Sequence, residues 1–318
     1  MSTPLSGHWR AQRERGGRLP LAAGAWLARH CGRPLGRALL ALVAVYFVLA
    51  APAARRASLE FLERALARRA GVPDALRHFF TFATTLLDRI HFAAGRLDRY
   101  RISVSGEQLL WNALQQGRGC LLLGSHLGSF ELLGMAGSLG PKLRINMLMH
   151  VDRASNFHRV AFAARASRAA PPYSIIPLGT PGSMLRASEC LARGEIVGLL
   201  ADRVYGDEAT AAVPFLGRAA RFSLSPWRLA RLTGAPLIMA FGIFEGGRDY
   251  AIRFERIDAR AKRFDAPVGC MEAPAPGTDA DRSASGTPQP LLAYVARLED
   301  EARRHPYNWF NFYGFWDA

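Results

Sequence analysis

The sequence predicts an α/β protein in which a mixed β-sheet is covered by helices, with a helical region in front of it. Residues 1–100 show helical spacing of apolar side chains and no strand pattern. From about residue 101 onward, short apolar runs alternate with amphipathic helical patterns. The short runs are apolar throughout, which is typical of strands buried on both faces. We therefore predict a helical region over residues 1–100 and an α/β domain over residues 101–318.

The N-terminal region contains an uncharged apolar run over residues 38–54, with arginines on both sides. A helix of this length spans about 26 Å, slightly less than a hydrocarbon core of ~30 Å, and Pro52 shortens it further. The run fits a transmembrane or deeply inserted anchor, or an apolar helix that docks on the protein or lies in the membrane interface. A cleaved signal peptide is disfavoured because the charged segment before the run is too long. We therefore predict that residues 1–100 associate with a membrane.

Two further helices are predicted in this region. Ser58 is expected to be the N-cap of one, and Asp74, after a turn at Gly71, is expected to cap the next. His78 and His91 flank an aromatic stripe and are interpreted as ordinary, partly buried histidines. The stripe repeats at helical spacing and predicts a core-facing surface, formed by Phe79, Phe80, Phe82, Leu86, Leu87 and Ile90.

The second part of the chain predicts alternating strands and helices. Strands are predicted at 101–104, 119–124, 145–149, 175–178, 195–201 and 236–243, with 250–256 as a hairpin partner. Helices are predicted at 108–116, 184–193 and 291–304. Residues from about 260 to 288 are rich in Ala, Pro, Gly and Ser, which predicts an exposed loop or linker.

Charge and cysteine content limit the classes of partner. The net charge is +15, almost entirely from arginine, and favours anionic partners such as membrane lipids, phosphorylated sugars or acidic carrier proteins. Nucleic-acid binding is disfavoured because the arginines are spread along helices without a reader motif. The sequence has no nucleotide-binding glycine motif and no zinc-type cysteine spacing, so we expect no cofactor and no metal. The scattered cysteines predict a reducing compartment without a structural disulfide.

The segment from Ser125 to Glu131 holds the main candidate for chemistry. It follows an apolar run and precedes a helical pattern, so His126 lies where a buried strand turns into a helix. On one continuous helix, His126 and Glu131 would lie about 140° apart and could not meet. With His126 in the turn and Glu131 in the first helical turns, the two side chains can touch. This pairing gives a base with an orienting carboxylate, which can take a proton from a hydroxyl group.

The His-x4-Glu spacing after a hydrophobic strand resembles the His-x4-(Asp/Glu) signature of glycerolipid acyltransferases, and its glutamate form is similar to that of lipid A late acyltransferases. Four more blocks follow in the family's order. Residues 150–156 resemble its Arg-x-x-(x)-Asn block, and Asp202-Arg203 resembles its Asp-(Gln/His) block. Residues 213–217 resemble its Val-Pro-Phe-Phe-Gly block, and residues 305–310 resemble its Pro-(Glu/Tyr)-Gln-Trp-Phe ending.

The resemblance implies a glycerolipid acyltransferase-like fold and an acyltransferase of the cytoplasmic face of the bacterial inner membrane. The implied donor is the thioester of an acyl carrier protein, and the implied acceptor is a hydroxyl group of a lipid or glycolipid similar to lipid A. His126 would be the base and Glu131 would orient it. The resemblance implies substrate contacts by Arg153, Asn156, Arg165 or Arg168, Asp202, Arg203 and Phe215.

Departures from the family pattern leave the acceptor open. Arg203 replaces the usual Gln or His, residues 220–222 lack the common threonines, and the tail lacks a basic ending. A lysophospholipid, an amino-acid lipid or a polyene-type lipid is an alternative acceptor. Phe215 and Trp309 are alternatively simple core aromatics. Outside enzymes, the alternative is a membrane-anchored basic scaffold, which the intact His126 and Glu131 argue against.

Overall fold

The computed structural model describes residues 32–93, 96–130, 132, 143–149, 173–206, 208–257 and 287–317 of the 318-residue chain. The helices are α1 (Gly32–Ala50), α2 (Pro52–Leu66), α3 (Val72–Ala93), α4 (Gln108–Gln115), α5 (Ser183–Ala192), α6 (Ser225–Thr233) and α7 (Gln289–Arg304). The strands are β1 (Arg101–Ser105), β2 (Cys120–Gly124), β3 (Ile145–Met149), β4 (Tyr173–Pro177), β5 (Ile196–Leu200), β6 (Thr210–Phe215), β7 (Arg218–Ser223), β8 (Leu237–Gly246) and β9 (Asp249–Arg256). Short 3₁₀ turns lie at Leu97–Arg99 and Pro306–Asn308.

Seven of the strands form one sheet in the order β1-β9-β8-β2-β5-β3-β4. All neighbours are parallel except β8 and β9, which form an antiparallel hairpin. The predicted mixed sheet covered by helices is therefore confirmed. Strand β2 lies in the middle of the sheet and is completely buried.

The two faces of the sheet carry separate apolar cores. Along β2, Leu121 and Leu123 belong to one core, while Cys120 and Leu122 belong to the other, as the two-residue period of a strand requires. Helices α2 and α7 cover the first face, and α4 covers the second. This double coverage explains why the central strands are apolar throughout.

The N-terminal helices differ from the sequence predictions in three details. Helix α2 begins at Pro52, so the prediction that Ser58 is an N-cap is wrong, and Ser58 is instead buried within the helix. Its hydroxyl group lies 2.8 Å from Nδ1 of His78. His78 and His91 were expected to be partly buried but are almost completely buried. The prediction that Asp74 caps α3 is also wrong, because the helix begins at Val72 and Asp74 lies inside its first turn, where it accepts the N–H of Gly71 at 3.0 Å.

A buried polar cluster joins α1 and α3 to the sheet. Asp88 on α3 has no solvent exposure and accepts two hydrogen bonds from the guanidinium of Arg33 on α1, at 2.8 and 2.6 Å. The hydroxyl groups of Tyr100 and Tyr250 also donate to Asp88, at 2.8 and 2.9 Å. A buried carboxylate needs such donors, because an unpaired buried charge is strongly destabilising. Helix α1 is therefore fixed to the body of the protein by specific polar contacts.

A two-stranded hairpin and a helix were not predicted. Strands β6 and β7 pair in antiparallel fashion through a turn at Leu216-Gly217, where both residues have positive φ angles. Pro214 lies inside β6 on an exposed face, which a two-stranded ribbon tolerates. Helix α6 follows directly. Most of the predicted linker over 260–288 lies outside the described residues.

Candidate active site

The order of the sheet brings His126 and Asp202 together. Strands β2 and β5 are parallel neighbours, with Gly124 opposite Leu200. His126 and Asp202 each follow the end of their strand by two residues, so they emerge side by side at the same edge of the sheet. The N–H of Ala201 donates to the carbonyl of Gly124 at 3.0 Å and extends the pairing up to the two side chains.

Asp202 holds His126 through both carboxylate oxygens. Nδ1 of His126 lies 2.9 Å from Oδ1 of Asp202, and the backbone N–H of His126 donates to Oδ2 at 2.9 Å. The indole N–H of Trp309 also donates to Oδ2, at 3.1 Å. Asp202 has no solvent exposure, whereas the imidazole is 23% exposed. The carboxylate thus lies behind the ring and fixes its orientation.

The electrostatic surroundings keep the carboxylate charged and the imidazole neutral. Burial alone would raise the pKa of Asp202, but the contacts with His126 and the charge of Arg203 lower it to about 2. Burial lowers the pKa of His126, and the charges of Arg203 and Arg89 lower it further against the opposing effect of Asp202. An ionised Asp202 can only accept, so Nδ1 of His126 carries the hydrogen and Nε2 carries the lone pair. A neutral imidazole in this tautomer is ready to accept a proton at Nε2.

A glycine contact shapes the loop after His126. Gly128 has a φ of +79°, and a Cβ atom there would lie 2.0 Å from the carbonyl oxygen of Gly242 on β8. The next residue, Ser129, donates its backbone N–H to the same carbonyl at 2.7 Å. Only glycine at position 128 permits this close approach. The loop therefore rests directly on the backbone of β8.

His126 lines a largely apolar cavity of about 890 Å³. This volume is within the range of roughly 300–1,000 Å³ that is common for small-molecule sites. Most of the apolar walls come from Phe130, Met147, Leu148, Met149, Leu178, Met184, Leu185, Leu199, Leu200 and Leu229. Such a wall is suited to an aliphatic chain, because removing apolar surface from water lowers the free energy.

Two arginines line the same cavity as His126. Arg203 donates to the carbonyl of Phe310 at 3.0 Å, and its guanidinium lies 5.2 Å from the centre of the Tyr313 ring. Arg89, on α3, donates to the carbonyl of Gly128 at 3.2 Å. Their positive charges favour a substrate with a negative group and favour negative charge that develops during a reaction.

The predicted site residues have different outcomes. The structure brings together His126, Asp202 and Arg203. Phe215 lies in the core, where its ring contacts Trp309 edge-on at 5.2 Å, and it does not line the cavity. The remaining predicted site residues lie outside the described part of the chain, namely Glu131, Arg153, Asn156, Arg165 and Arg168.

Sequence reasoning missed three features of this site. Asp202 was expected to contact substrate, and its hydrogen bond to His126 was not anticipated. Its position two residues after an apolar strand was the available signal. Arg89 was overlooked because α3 was assigned to the membrane-associating region and no motif marks it. Trp309 was noted as part of a C-terminal block or as a core aromatic, and its hydrogen bond to Asp202 was not anticipated. Within the described ranges, no group of three or more His, Cys, Asp or Glu side chains could hold a metal ion.

The chain was compared with curated proteins and with models of protein families. A comparison with curated proteins gave no match. The model of the family described as bacterial lipid A biosynthesis acyltransferase matches residues 60–255, which is more than half of the chain. The matched range includes Arg89, His126, Asp202 and Arg203. The chain therefore belongs to the bacterial lipid A biosynthesis acyltransferase family and is an acyltransferase.

Proposed function

We propose that the protein moves a fatty acyl chain from the thioester of an acyl carrier protein to a hydroxyl group of a glycolipid similar to lipid A. The observation that carries this proposal is the Asp202-bound imidazole of His126 on the wall of an apolar cavity. The cavity suits an acyl chain, and the imidazole suits the activation of a hydroxyl group.

The proposed reaction begins with proton transfer from the acceptor hydroxyl to Nε2 of His126. The hydroxyl oxygen attacks the thioester carbonyl carbon and forms a new C–O bond. The C–S bond then breaks, and the departing thiolate takes the proton from the imidazolium. Asp202 stabilises the imidazolium while it exists. Arg89 and Arg203 supply positive charge close to the carbonyl oxygen of the intermediate.

The net charge of +15 supports an acyl carrier protein as the donor. Carrier proteins of this type are acidic, and long-range attraction raises the rate at which oppositely charged proteins meet. We therefore expect higher salt to raise the KM for acyl carrier protein while kcat changes little. Salt screens the attraction between the two proteins beyond ~8–10 Å, which slows their association but does not change the reaction after binding. Steady-state kinetics at several salt concentrations measure both constants.

The matched control for this prediction is acyl-CoA with the same acyl chain, assayed under the same conditions. The carrier protein should be the better donor at low salt and should lose its advantage as salt rises. Equal use of both donors, with no effect of salt, would contradict the proposal that acyl carrier protein is the donor. That result would leave the chemistry at His126 untouched.

We further propose that α1 lies in the interface of the inner membrane, on its cytoplasmic face. The window Arg33–Ala50 is long and apolar enough to cross a membrane, and 22% of it is buried within the protein. Arg33 and Arg37 turn toward the protein, where they contact Asp88 and the ring of Phe80. The opposite face of α1 is exposed and apolar, with Leu35, Leu39, Leu42, Tyr46 and Leu49. Because α1 packs against α3, which carries buried polar groups, a position along the interface fits better than one across the bilayer.

Replacing Leu42 and Leu49 with glutamate is expected to move the protein from the membrane to the soluble fraction. These side chains are 68% and 70% exposed, and each buried leucine contributes roughly 1.5–3 kcal/mol to binding an apolar phase. The wild type should resist a molar salt wash, because apolar burial is not screened. Sedimentation with membranes measures the distribution.

The control is Leu232→Glu, at a site on α6 that is 80% exposed and far from α1 in sequence. This variant should stay with the membrane. Release of the wild type by salt alone would contradict the interfacial position, and so would equal release of the control and the α1 variant.

A further inference from the structure

The loop that carries His126 is held by a segment from the end of the described chain. We define this C-terminal segment as residues 306–313. The backbone N–H of Phe310 donates to the carbonyl of His126 at 3.0 Å, and the N–H of Gly128 donates to the carbonyl of Asn308 at 2.7 Å. Leu127 and Trp309 lie opposite each other in this short antiparallel pairing. The backbone on both sides of the imidazole is therefore fixed by the C-terminal segment.

The C-terminal segment is itself anchored to two other elements. The side-chain amide of Asn308 pairs with both backbone groups of Phe244 on β8, at 2.9 and 3.1 Å. Nε2 of His78 on α3 lies 2.9 Å from the carbonyl oxygen of Trp309. Burial lowers the pKa of His78 to about 4, so this histidine is neutral at physiological pH. These contacts give the segment one position relative to β2.

The indole ring of Trp309 is 1% exposed and tightly enclosed. Phe61 and Phe315 meet it edge-on, each with 4.7 Å between ring centres. Edge-to-face packing of this kind fixes the plane of a ring. Its N–H therefore has one direction, and that direction leads to Oδ2 of Asp202 at 3.1 Å.

The three hydrogen bonds to Asp202 divide its two oxygens between different tasks. Oδ2 accepts from the backbone of His126 and from the indole, while Oδ1 accepts from Nδ1 of the imidazole. Without the indole, a buried carboxylate would lose one of its three donors and would be free to rotate about its Cβ–Cγ bond. Rotation would change the angle at which Oδ1 meets the imidazole.

We infer that Trp309 is a positioning residue for the base: its indole N–H fixes Asp202 so that Oδ1 holds the imidazole of His126 with Nε2 toward the substrate. This inference rests on the proposed role of His126. Trp309 lies outside the range matched by the family model. It does not line the cavity, so in this scheme it acts through Asp202 and not on the substrate.

The test is Trp309→Phe, which keeps an aromatic ring and removes the donor. We expect kcat to fall roughly ten- to a hundredfold with little change in KM, as for the loss of a hydrogen bond to a buried charge. The acid limb of the pH profile of kcat/KM should move to higher pH. With one hydrogen-bond donor fewer, the carboxylate of Asp202 stabilises the protonated imidazole of His126 more strongly, so the pKa of His126 rises. The other charged neighbours of the imidazole, Arg89 and Arg203, are unchanged by the substitution.

Trp316→Phe is the matched control. Trp316 lies in the same aromatic cluster, is 8% exposed and donates its indole N–H to the carbonyl of Phe215 at 3.2 Å, away from Asp202. It should lose stability, measured as Tm, without a shift of the acid limb. If both variants give the same kcat and the same acid limb, the inference is overturned.

A second replacement guards against a folding defect in Trp309→Phe. Substitution of 3-benzothienylalanine at position 309 keeps the bicyclic shape and replaces the N–H with sulfur. It should show the same loss of kcat and the same shift of the acid limb, and wild-type values would overturn the inference. His126→Ala, assayed in parallel, separates a failure of this inference from a failure of the proposed function. Near-wild-type activity in that variant would show that His126 is not the base.

Discussion

Replacing His126 with alanine is expected to lower acyl transfer by roughly 10²–10⁴, the usual contribution of a general base. The imidazole lines the cavity with Nδ1 bonded to Asp202, so Nε2 is the nitrogen that takes the proton, and alanine removes it. The loss should appear in kcat. The measurement is steady-state transfer from acyl carrier protein to a lipid acceptor by the purified protein.

His305→Ala is the matched control for this variant. The imidazole of His305 is 23% exposed, like that of His126, and also faces a fully buried carboxylate, Glu301, at 3.7 Å. It does not line the cavity, and its removal should leave kcat within a few-fold of wild type. Near-wild-type turnover by His126→Ala would exclude the proposed mechanism.

Asp202→Asn is expected to have an effect of similar size, roughly 10²–10⁴ in kcat, because the amide disturbs the tautomer of His126. If the amide oxygen faces the backbone N–H of His126 and the indole of Trp309, its NH₂ group faces Nδ1. Nδ1 must then accept, which moves the hydrogen to Nε2 and abolishes the base. If the amide is turned the other way, its NH₂ group faces two N–H donors. Either orientation is unfavourable.

The double variant His126→Ala/Asp202→Asn should be about as active as His126→Ala alone, because the two residues act as one unit. Additive losses would show that Asp202 acts independently of His126. Glu131→Gln, measured beside Asp202→Asn, separates the two carboxylates. The orienting role of Glu131 stays a prediction, and an unchanged kcat in this variant would assign orientation to Asp202 alone.

The strands of the main sheet and the location of His126 could be predicted from sequence because both depend on local pattern. Buried strands such as β2 and β5 are apolar runs of characteristic length, and His126 follows one of them directly. The hydrogen bond between His126 and Asp202 depends instead on which strand lies beside β2. That neighbour is the fifth strand in the chain, and local spacing contains no information about the order of strands.

Local reasoning also failed where tertiary packing overrides a rule. Residues 213–217 were recognised only as a family-like block and not as part of a strand, and β6 accommodates Pro214 because that position is exposed in a two-stranded ribbon. Ser58 matched the preference for an N-cap, yet α2 begins six residues earlier and uses the hydroxyl to contact His78. For Ser58, the deciding contact comes from α3, a different helix.

The attachment of the C-terminal segment to the loop of His126 has a consequence for the timing of folding. His126 and Asp202 are 76 residues apart in sequence, and Asp202 and Trp309 are 107 residues apart. Contacts between such distant residues form slowly, since a long chain must be closed before they contribute to stability. We therefore expect the base to be completed late in folding. A nascent chain that has already formed β2 and β5 still lacks the indole and the backbone pairing that hold the imidazole, so we expect full acyl transfer only after synthesis has passed Trp309.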